Sequence, residues 1–189
     1  MRALTVAPGG IRLHHAYRGG LLQHILSVVG LASRLTEHYP RLDHDLLVAG
    51  AILHDIGKIE ELTATRRLGY STRGQLVGHV ALGLEILERH SAGLEDSPLP
   101  LKSVLQHLIV SHHGEVEKGA LREPMVAEAV VLHALDELDA RLEQVWRVID
   151  QAPPGDEWTA YVPSLRRQLY CASTNTAAAH QEDGKEGAA

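Results

Sequence analysis

Apolar residues recur at helical spacing in five segments of this chain, and this periodicity constrains the fold more than any other feature. The segments cover about residues 21–38, 46–55, 75–90, 101–113 and 125–149. Their side chains are mainly leucine, isoleucine, valine and alanine, because the chain has no Phe and only two Trp and five Tyr. The sequence therefore predicts an all-α fold, a bundle of five or more helices around an aliphatic core.

The breaks between the segments fall at residues that begin helices or form turns. Asp43 is suited to cap the second helix, and Pro124 is suited to the first position of the last. Residues 60–74 have glycine at each bend and predict a loop or short hairpin inserted among the helices. We expect residues 1–171 to form one domain and residues 172–189, which contain no large apolar side chain, to be a disordered tail.

The composition argues against several classes of protein. The formal net charge of −6 disfavours a globally basic surface that coats nucleic acid, although a local basic patch is compatible with it. The longest apolar run, residues 46–53, is far below the roughly 20 residues that cross a bilayer. No signal peptide is visible in the first twenty residues, and the single Cys171 excludes an internal disulfide. We therefore expect a cytoplasmic protein without a membrane partner.

Histidine is unusually frequent, with 13 residues, and for several of them a surface or packing role is the simpler interpretation. These are His38, His44, His90, His133 and His180. His107 points away from the apolar stripe of its segment, so we interpret it as packing or as support for a neighbouring site. His14 and His15 stay open between an N-terminal surface role and a contact with substrate.

The remaining histidines and two aspartates lie inside apolar segments or at their ends. Those that bear on a site are His24, His54, Asp55, His79, His112, His113 and Asp136. A buried charge must be paired or must bind a metal. Asp136 lies in an apolar stretch with no Lys or Arg three or four residues before it, and the nearest basic residue after it is Arg141. A metal is therefore the simpler partner for the Asp136 carboxylate.

The order His24, His54-Asp55, Asp136 resembles the pattern of the HD-domain superfamily of metal-dependent phosphohydrolases. His79 and the pair His112-His113 resemble the additional ligands of members with a second metal site. Five segments in order are also similar to the HD domain of the YhaM-type 3′→5′ exoribonucleases. They are HHAYRGGLLQH (14–24), HDIGKIEEL (54–62), GQLVGHVALG (74–83), SHHGE (111–115) and LHALDELD (132–139). The resemblance implies an HD-domain helical bundle.

The resemblance also implies a ligand set. A first metal would be held by His24, His54, Asp55 and Asp136, and Asp55 would bridge to a second metal held by His79 and by His112, His113 or both. This mixture of imidazoles and carboxylates suits two divalent transition metal ions, drawn from Mn, Fe, Ni, Co and Zn. The implied reaction is hydrolysis of a phosphate ester of a nucleotide or short oligonucleotide by a metal-activated water, without a covalent enzyme intermediate.

Lys58 and three arginines are candidates for binding the substrate. Asp55 and Lys58 carry the implied catalytic roles, and Lys58 would steady a phosphate oxygen or a metal-bound water unless it is only an exposed residue after a helix end. Arg66, Arg67 and Arg73 lie in residues 62–74, which contain no acidic residue, and this loop would bind phosphates or a single strand. The alternative for these arginines is a solvated hairpin.

Two hypotheses other than hydrolysis stay open. The YhaM-type enzymes also carry an OB-type nucleic-acid-binding module, for which we expect no room in 189 residues. The domain would then be a non-catalytic or regulatory module that binds metal and nucleotide or assists an RNA-processing partner. A purely structural bundle requires the buried His and Asp residues to pair among themselves. The expected partner is a nucleotide or a short single-stranded nucleic acid, and the sequence predicts no oligomeric state.

Overall fold

The computed structural model describes residues 3–11, 15–64, 68–91 and 99–171. Its helices are α1 (Gly20–His38), α2 (His44–Leu53), α3 (Lys58–Glu61), α4 (Thr72–Val77), α5 (His79–Ser91), α6 (Leu99–Ser111) and α7 (Ala127–Asp150), with a 3₁₀ turn at Val116–Lys118. The strands β1 (Leu62–Ala64) and β2 (Leu68–Tyr70) pair antiparallel, with Thr63 opposite Gly69. The predicted helical fold with a short hairpin is therefore confirmed.

The chain divides into two compact units, residues 1–141 and 142–189, and the division falls inside α7. The core of the first unit is built from aliphatic side chains of α1, α2, α6 and α7. They are Val28, Ala32, Leu47, Ala51, Leu108, Ala129, Leu132 and Leu135. A smaller cluster joins Ala7 to Leu21 and Ile25 of α1. The core is aliphatic, as the absence of Phe requires, and it holds together the helices whose ends carry the histidines.

Two helices end earlier than the periodicity predicts. The Asp43 carboxylate caps α2 as expected, accepting a hydrogen bond from the Leu46 amide at 3.0 Å. However, α2 ends at Leu53 and α6 ends at Ser111. The His54-Asp55 and His112-His113 pairs therefore lie in the turns that follow these helices.

The prediction of one continuous helix over 75–90 is wrong. The structure has α4 and α5 in this region, separated at Gly78. Gly78 adopts a φ of 79°, a conformation that ends a helix and that residues with a side chain rarely adopt. A new helix then begins at His79, so this histidine lies at a helix start and its side chain is not part of a long helical face.

In the described part of the second unit, two isolated antiparallel bridges pair Trp158 with Tyr170 and Val162 with Arg167. The rings of Trp158 and Tyr170 pack edge to face, 5.2 Å apart. Cys171, the single cysteine of the chain, is buried. Within the described ranges, no helix is long and apolar enough to span a membrane. The predicted tail, 172–189, lies outside those ranges, and the domain limit at residue 171 stays a prediction.

Candidate metal centre

Three side chains from separate helical elements converge in what we call the first group: His24 of α1, His54 after α2, and Asp136 of α7. The Nε2 atom of His24 lies 3.1 Å from Nε2 of His54 and 3.2 Å from Oδ1 of Asp136. Both rings are buried, whereas the Asp136 side chain keeps about a fifth of its surface exposed. The first group therefore presents two imidazole nitrogens and one carboxylate oxygen to a single point near the surface.

The second group consists of His79, His112 and His113, whose ligand atoms lie within 4.8 Å of one another. His79 comes from the start of α5, and the other two follow α6. The rings of His112 and His113 have centroids 4.1 Å apart. Among the described residues, this group and the first group are two of three sets with metal-ligand geometry; the third set is His15, His24 and Asp139.

The Asp55 carboxylate lies between the two groups. Its Oδ2 atom is 3.5 Å from Nε2 of His54 and 3.8 Å from Nε2 of His24. Its Oδ1 atom is 3.5 Å from Nε2 of His79 and 3.7 Å from Nε2 of His112. One oxygen thus faces each group, which is the arrangement of a carboxylate that can bridge two cations.

Four buried atoms at this place lack a hydrogen-bond partner among the described residues. They are Oδ1 of Asp55, Nε2 of His79, Nε2 of His112 and Nδ1 of His113. An unsatisfied buried polar atom costs about 1–3 kcal/mol, so four of them together are expensive unless something binds there. Imidazoles and a carboxylate are ligands that divalent transition metals prefer. The residues present therefore fit a metal.

Backbone carbonyl oxygens hold the Nδ1 atoms of His54 and His112. Nδ1–H of His54 donates to the carbonyl oxygen of Ala51 at 2.9 Å, and Nδ1–H of His112 donates to that of Ile109 at 2.7 Å. A carbonyl oxygen only accepts, so the proton of each neutral ring lies on Nδ1 and the lone pair of Nε2 faces the centre. These contacts fix both rings in the orientation that metal binding requires.

The pKa values of the histidines differ across the centre. Burial, and then the neighbouring His54 ring, lower the pKa of His112 to about 3. Burial also lowers the pKa of His54. Burial alone would lower the pKa of His24 as well, but hydrogen bonds to the carboxylates of Asp136 and Asp139 raise it to about 9. His54 and His112 are therefore neutral at pH 7, which is the form that binds metals.

Lys58 contacts the bridging carboxylate directly. Its Nζ donates to Oδ2 of Asp55 at 2.6 Å, and both side chains are largely buried. Burial alone would raise the pKa of Asp55, but the Lys58 ammonium and the rings of His54 and His79 hold it well below its usual value. Burial would likewise lower the pKa of Lys58, and the Asp55 charge raises it instead. Both partners are therefore ionised at neutral pH.

Gly57 allows the turn after Asp55 to pack against the start of α5. A Cβ atom on residue 57 would lie 1.9 Å from the carbonyl oxygen of His79 and 2.6 Å from the amide nitrogen of Gly83. Only glycine permits this approach. Glu61 fastens the same point, because its Oε1 accepts from the His79 amide at 3.0 Å and lies 3.3 Å from Nδ1 of the His79 ring.

A pocket with a volume of about 220 Å³ opens on the metal centre. Its lining includes Asp55, His113 and Asp136 from the candidate ligands, together with Lys58, Lys118 and His133. Lys58 and Lys118 are its two lysines, and the Lys118 ammonium also pairs with Glu115 at 2.7 Å. Lysine ammonium groups in a pocket suit a ligand that carries phosphate.

His133 packs as the sequence suggested, but it is also part of the site. Its Nδ1–H donates to the carbonyl oxygen of His112 at 2.8 Å, and its ring lines the pocket. This contact links α7 to the turn that carries two residues of the second group. His133 lies three residues before Asp136, and this spacing is the sequence signal that could have predicted its place near the site.

Two of the uncertain histidines are now placed. Nε2 of His107 accepts from the Met125 amide at 2.9 Å, and His107 is in neither group, as predicted. His15 is buried and its Nε2 lies 3.0 Å from Oδ2 of Asp139. His14 lies outside the described residues. Asp139 was not among the predicted site residues, although its spacing of three from Asp136 puts both carboxylates on one face of α7.

The arginines proposed for substrate binding are only partly described. Arg66 and Arg67 lie outside the described residues. Arg73 lies in α4, where its guanidinium pairs with Glu60 at 2.8 Å and with Glu85. These acidic partners come from outside the arginine-containing stretch, so the sequence of that stretch alone did not reveal them. Substrate binding by the three arginines stays a prediction.

Comparison with known proteins identifies the family of this chain. The family model described as the HD domain matches residues 21–141. The chain is 40% identical over 164 residues to the 3'-5' exoribonuclease YhaM of Bacillus subtilis (strain 168), which covers 86% of this chain and 51% of the relative. It is 36% identical over 177 residues to the protein of the same name from Geobacillus sp. (strain WCH70), covering 94% and 54%.

The chain thus spans about half the length of the curated relatives it matches. No solved structure matches it. The matched range 21–141 contains both groups, the Asp55 carboxylate between them and most of the helices that position them. With more than half of its residues covered by this match, the chain belongs to the HD-domain family.

Proposed function

We propose that this chain is a metal-dependent phosphohydrolase that cleaves a phosphate ester in a nucleotide or short oligonucleotide, in the manner of a 3′→5′ exoribonuclease. The single observation that carries the proposal is the Asp55 carboxylate, which has one oxygen toward each of two histidine-containing groups. The unpartnered buried atoms around it support a site built to be filled by cations.

In this proposal the centre holds two divalent ions. The first would be bound by His24, His54, Asp136 and Asp55, and the second by His79, His112, His113 and Asp55. The first group offers two imidazoles and the second offers three, so Mn, Fe, Co, Ni and Zn all suit the donors better than Mg, which prefers oxygen ligands alone. When bound, such ions supply an activated water and neutralise phosphate oxygens.

The protein's own residues would hold the substrate at this point. Lys58 keeps its ammonium charge inside the pocket, within 2.6 Å of Asp55, and is placed to contact a phosphate oxygen there. The Asp55 carboxylate accepts the hydrogen bond from Lys58 and would also bridge the two ions, so one side chain would position both the ions and the lysine. The Asp136 carboxylate lies at the exposed edge of the first group, where the pocket opens.

The substrate class follows from the pocket and from the relatives. Lys58 and Lys118 both line the pocket, and two cations suit a substrate with more than one phosphate, such as a nucleic acid strand. The relatives that match most of this chain are named 3'-5' exoribonucleases. In this proposal Arg66, Arg67 and Arg73 would also contact phosphates of the strand.

The test compares two His-Asp pairs that flank the same helix. His54 and Asp55 follow α2, whereas His44 and Asp45 begin it and have half-exposed and fully exposed side chains. The variants H54A/D55A and H44A/D45A are purified, loaded with Mn²⁺ and assayed with bis-p-nitrophenyl phosphate, cyclic nucleotides, mononucleotides and a short single-stranded RNA. We expect wild-type protein and H44A/D45A to turn over at least one substrate, and H54A/D55A to show only background.

Two outcomes would contradict the proposal. Equal activity in H54A/D55A and wild-type protein would show that the centre is not the site of reaction. Tight nucleotide binding by metal-loaded wild-type protein without any turnover would favour the regulatory or binding module. Circular dichroism of both double variants separates loss of activity from loss of the fold.

A further inference from the structure

A segment that precedes the family match reaches the metal centre. Residues 3–11 and 15–19 come before the matched range, which begins at residue 21. His15 of this segment has only 3% of its surface exposed. Its Nε2 lies 3.0 Å from Oδ2 of Asp139, a residue 124 positions farther along the chain. A buried histidine from outside the matched range therefore touches the helix that carries Asp136.

The backbone at His15 is held in an unusual conformation. His15 has a φ of 46°, in the left-handed region, which costs a residue with a side chain about 1–2 kcal/mol. Its carbonyl oxygen accepts from the Gly9 amide at 2.9 Å and from the Tyr17 amide at 2.8 Å. A Cβ atom on Gly20 would lie 2.1 Å from the same oxygen, so α1 begins directly against it. The local fold thus over-determines the position of His15.

The Asp139 carboxylate collects three donors. Its Oδ2 lies 2.7 Å from Nδ1 of His24 and 3.0 Å from Nε2 of His15. Its Oδ1 accepts from the hydroxyl of Ser27, one turn along α1. These three contacts hold the carboxylate in a fixed position as a hydrogen-bond acceptor.

This position determines which nitrogen of His24 faces the first group. A carboxylate oxygen at 2.7 Å accepts a hydrogen bond from Nδ1–H, so a neutral His24 ring presents the lone pair of Nε2. That Nε2 atom is the one 3.1 Å from His54 and 3.2 Å from Asp136. The His54 ring is oriented in the same way by a backbone carbonyl oxygen. The His24 ring is oriented by a side chain, Asp139, which also contacts His15 of the N-terminal segment.

We propose that Asp139 and His15 are positioning residues for the first group. They fix the His24 ring so that Nε2 faces the bound ion, and the N-terminal segment thereby forms part of the metal centre. The proposal rests on the proposed function only in requiring that the first group binds a metal. It concerns that group, because the Asp139 carboxylate contacts His24, which is a member of the first group.

The test measures metal affinity directly. Mn²⁺ is titrated calorimetrically into metal-free wild-type protein, and the variant H79A identifies which of the two binding events belongs to the first group. We expect D139A to weaken that event by about 10–100-fold, H15A to weaken it less, and both to leave the second event within about twofold of wild type. The near-isosteric D139N keeps one acceptor oxygen and should lie between D139A and wild type.

The controls are D150A, at the end of the same helix, and H38A, an exposed histidine at the end of α1. Thermal unfolding of each metal-free variant is recorded alongside. A purely structural role would lower the melting temperature and weaken both events in D139A and D139N alike, which would overturn the proposal. So would unchanged affinity of the first event in D139A. Wild-type protein that binds no Mn²⁺ would overturn the proposed function together with this inference, whereas the other outcomes leave that function standing.

Discussion

Replacing Gly57 with alanine perturbs the contact between the turn after Asp55 and the start of α5. The added Cβ would lie 1.9 Å from the carbonyl oxygen of His79, whereas real Cβ atoms essentially never come closer than 3.0 Å. The two backbone segments must therefore separate by about 1.1 Å. Metal–ligand distances tolerate only about 0.2 Å. His79 should then leave the second group, while His24 and the rest of the first group stay in place.

The cost in stability follows from the same clash. Overpacking costs about 1–3 kcal/mol, and because Gly57 meets backbone atoms of His79 and Gly83 we expect about 3 kcal/mol. For a chain of this length that lowers the melting temperature by about 6–12 °C. The matched control is Gly30→Ala inside α1, where an added Cβ has nothing within 4 Å. It should raise stability by about 0.8–1 kcal/mol, because alanine favours the helix.

The assay combines thermal unfolding with metal content by mass spectrometry after dialysis against Mn²⁺. We expect G57A to retain about half of the metal of wild-type protein and G30A to retain all of it. A G57A variant with wild-type metal content and an unchanged melting temperature would refute the reasoning. That result would mean that the turn and α5 are free to move apart without consequence for His79.

Three further predictions follow from other parts of the structure. Removing bound metal with a chelator should lower the melting temperature, and restoring Mn²⁺ at 100 times the dissociation constant of one site should return about 2.7 kcal/mol; identical melting curves with and without the ion would contradict this. K118A should raise KM several-fold for a 5′-phosphorylated dinucleotide, which has two phosphates, but leave bis-p-nitrophenyl phosphate, which has one, unchanged, because Lys118 is a second lysine that lines the pocket; K102A, which loses a pair with Glu88 as K118A loses one with Glu115, is the control, and equal effects on both substrates would argue against a second phosphate contact. D43A should lower the free energy of unfolding in urea by about 1 kcal/mol with no loss of metal, because it removes the capping bond of α2; a change in metal content would show that the cap affects the centre.

Much of the fold could be predicted because helical spacing of aliphatic residues is a local pattern that identifies the helices. The side chains of the candidate site were implied by the resemblance to the HD-domain order of His and Asp residues, and the structure brings these side chains together. The helix break at Gly78 was missed, because the spacing of apolar residues contains no information about the sign of a backbone φ angle. The contact between His15 and Asp139 was missed because the two residues are 124 positions apart, and the spacing of apolar residues within a helix does not predict contacts between distant segments.

Arg73 shows a different limit. Its stretch of sequence contains no acidic residue, so it reads as part of a positive patch. In the folded chain Glu60 and Glu85, from the helices on either side, pair with its guanidinium. Local charge counts do not include neighbours that only folding supplies, and the net charge of a surface is therefore harder to predict than the elements that form it.

The early end of α6 at Ser111 has a consequence for how two adjacent histidines can serve one ion. Consecutive residues of an α-helix project about 100° apart around its axis, so neighbours within a helix cannot converge on one point. Beyond Ser111 the chain leaves the helical path, with Gly114 at a φ of 80°, and the two rings come side by side. Lengthening this helix by a single turn would move one imidazole away from the other, so the end of the helix at Ser111 is what brings these two sequence neighbours side by side.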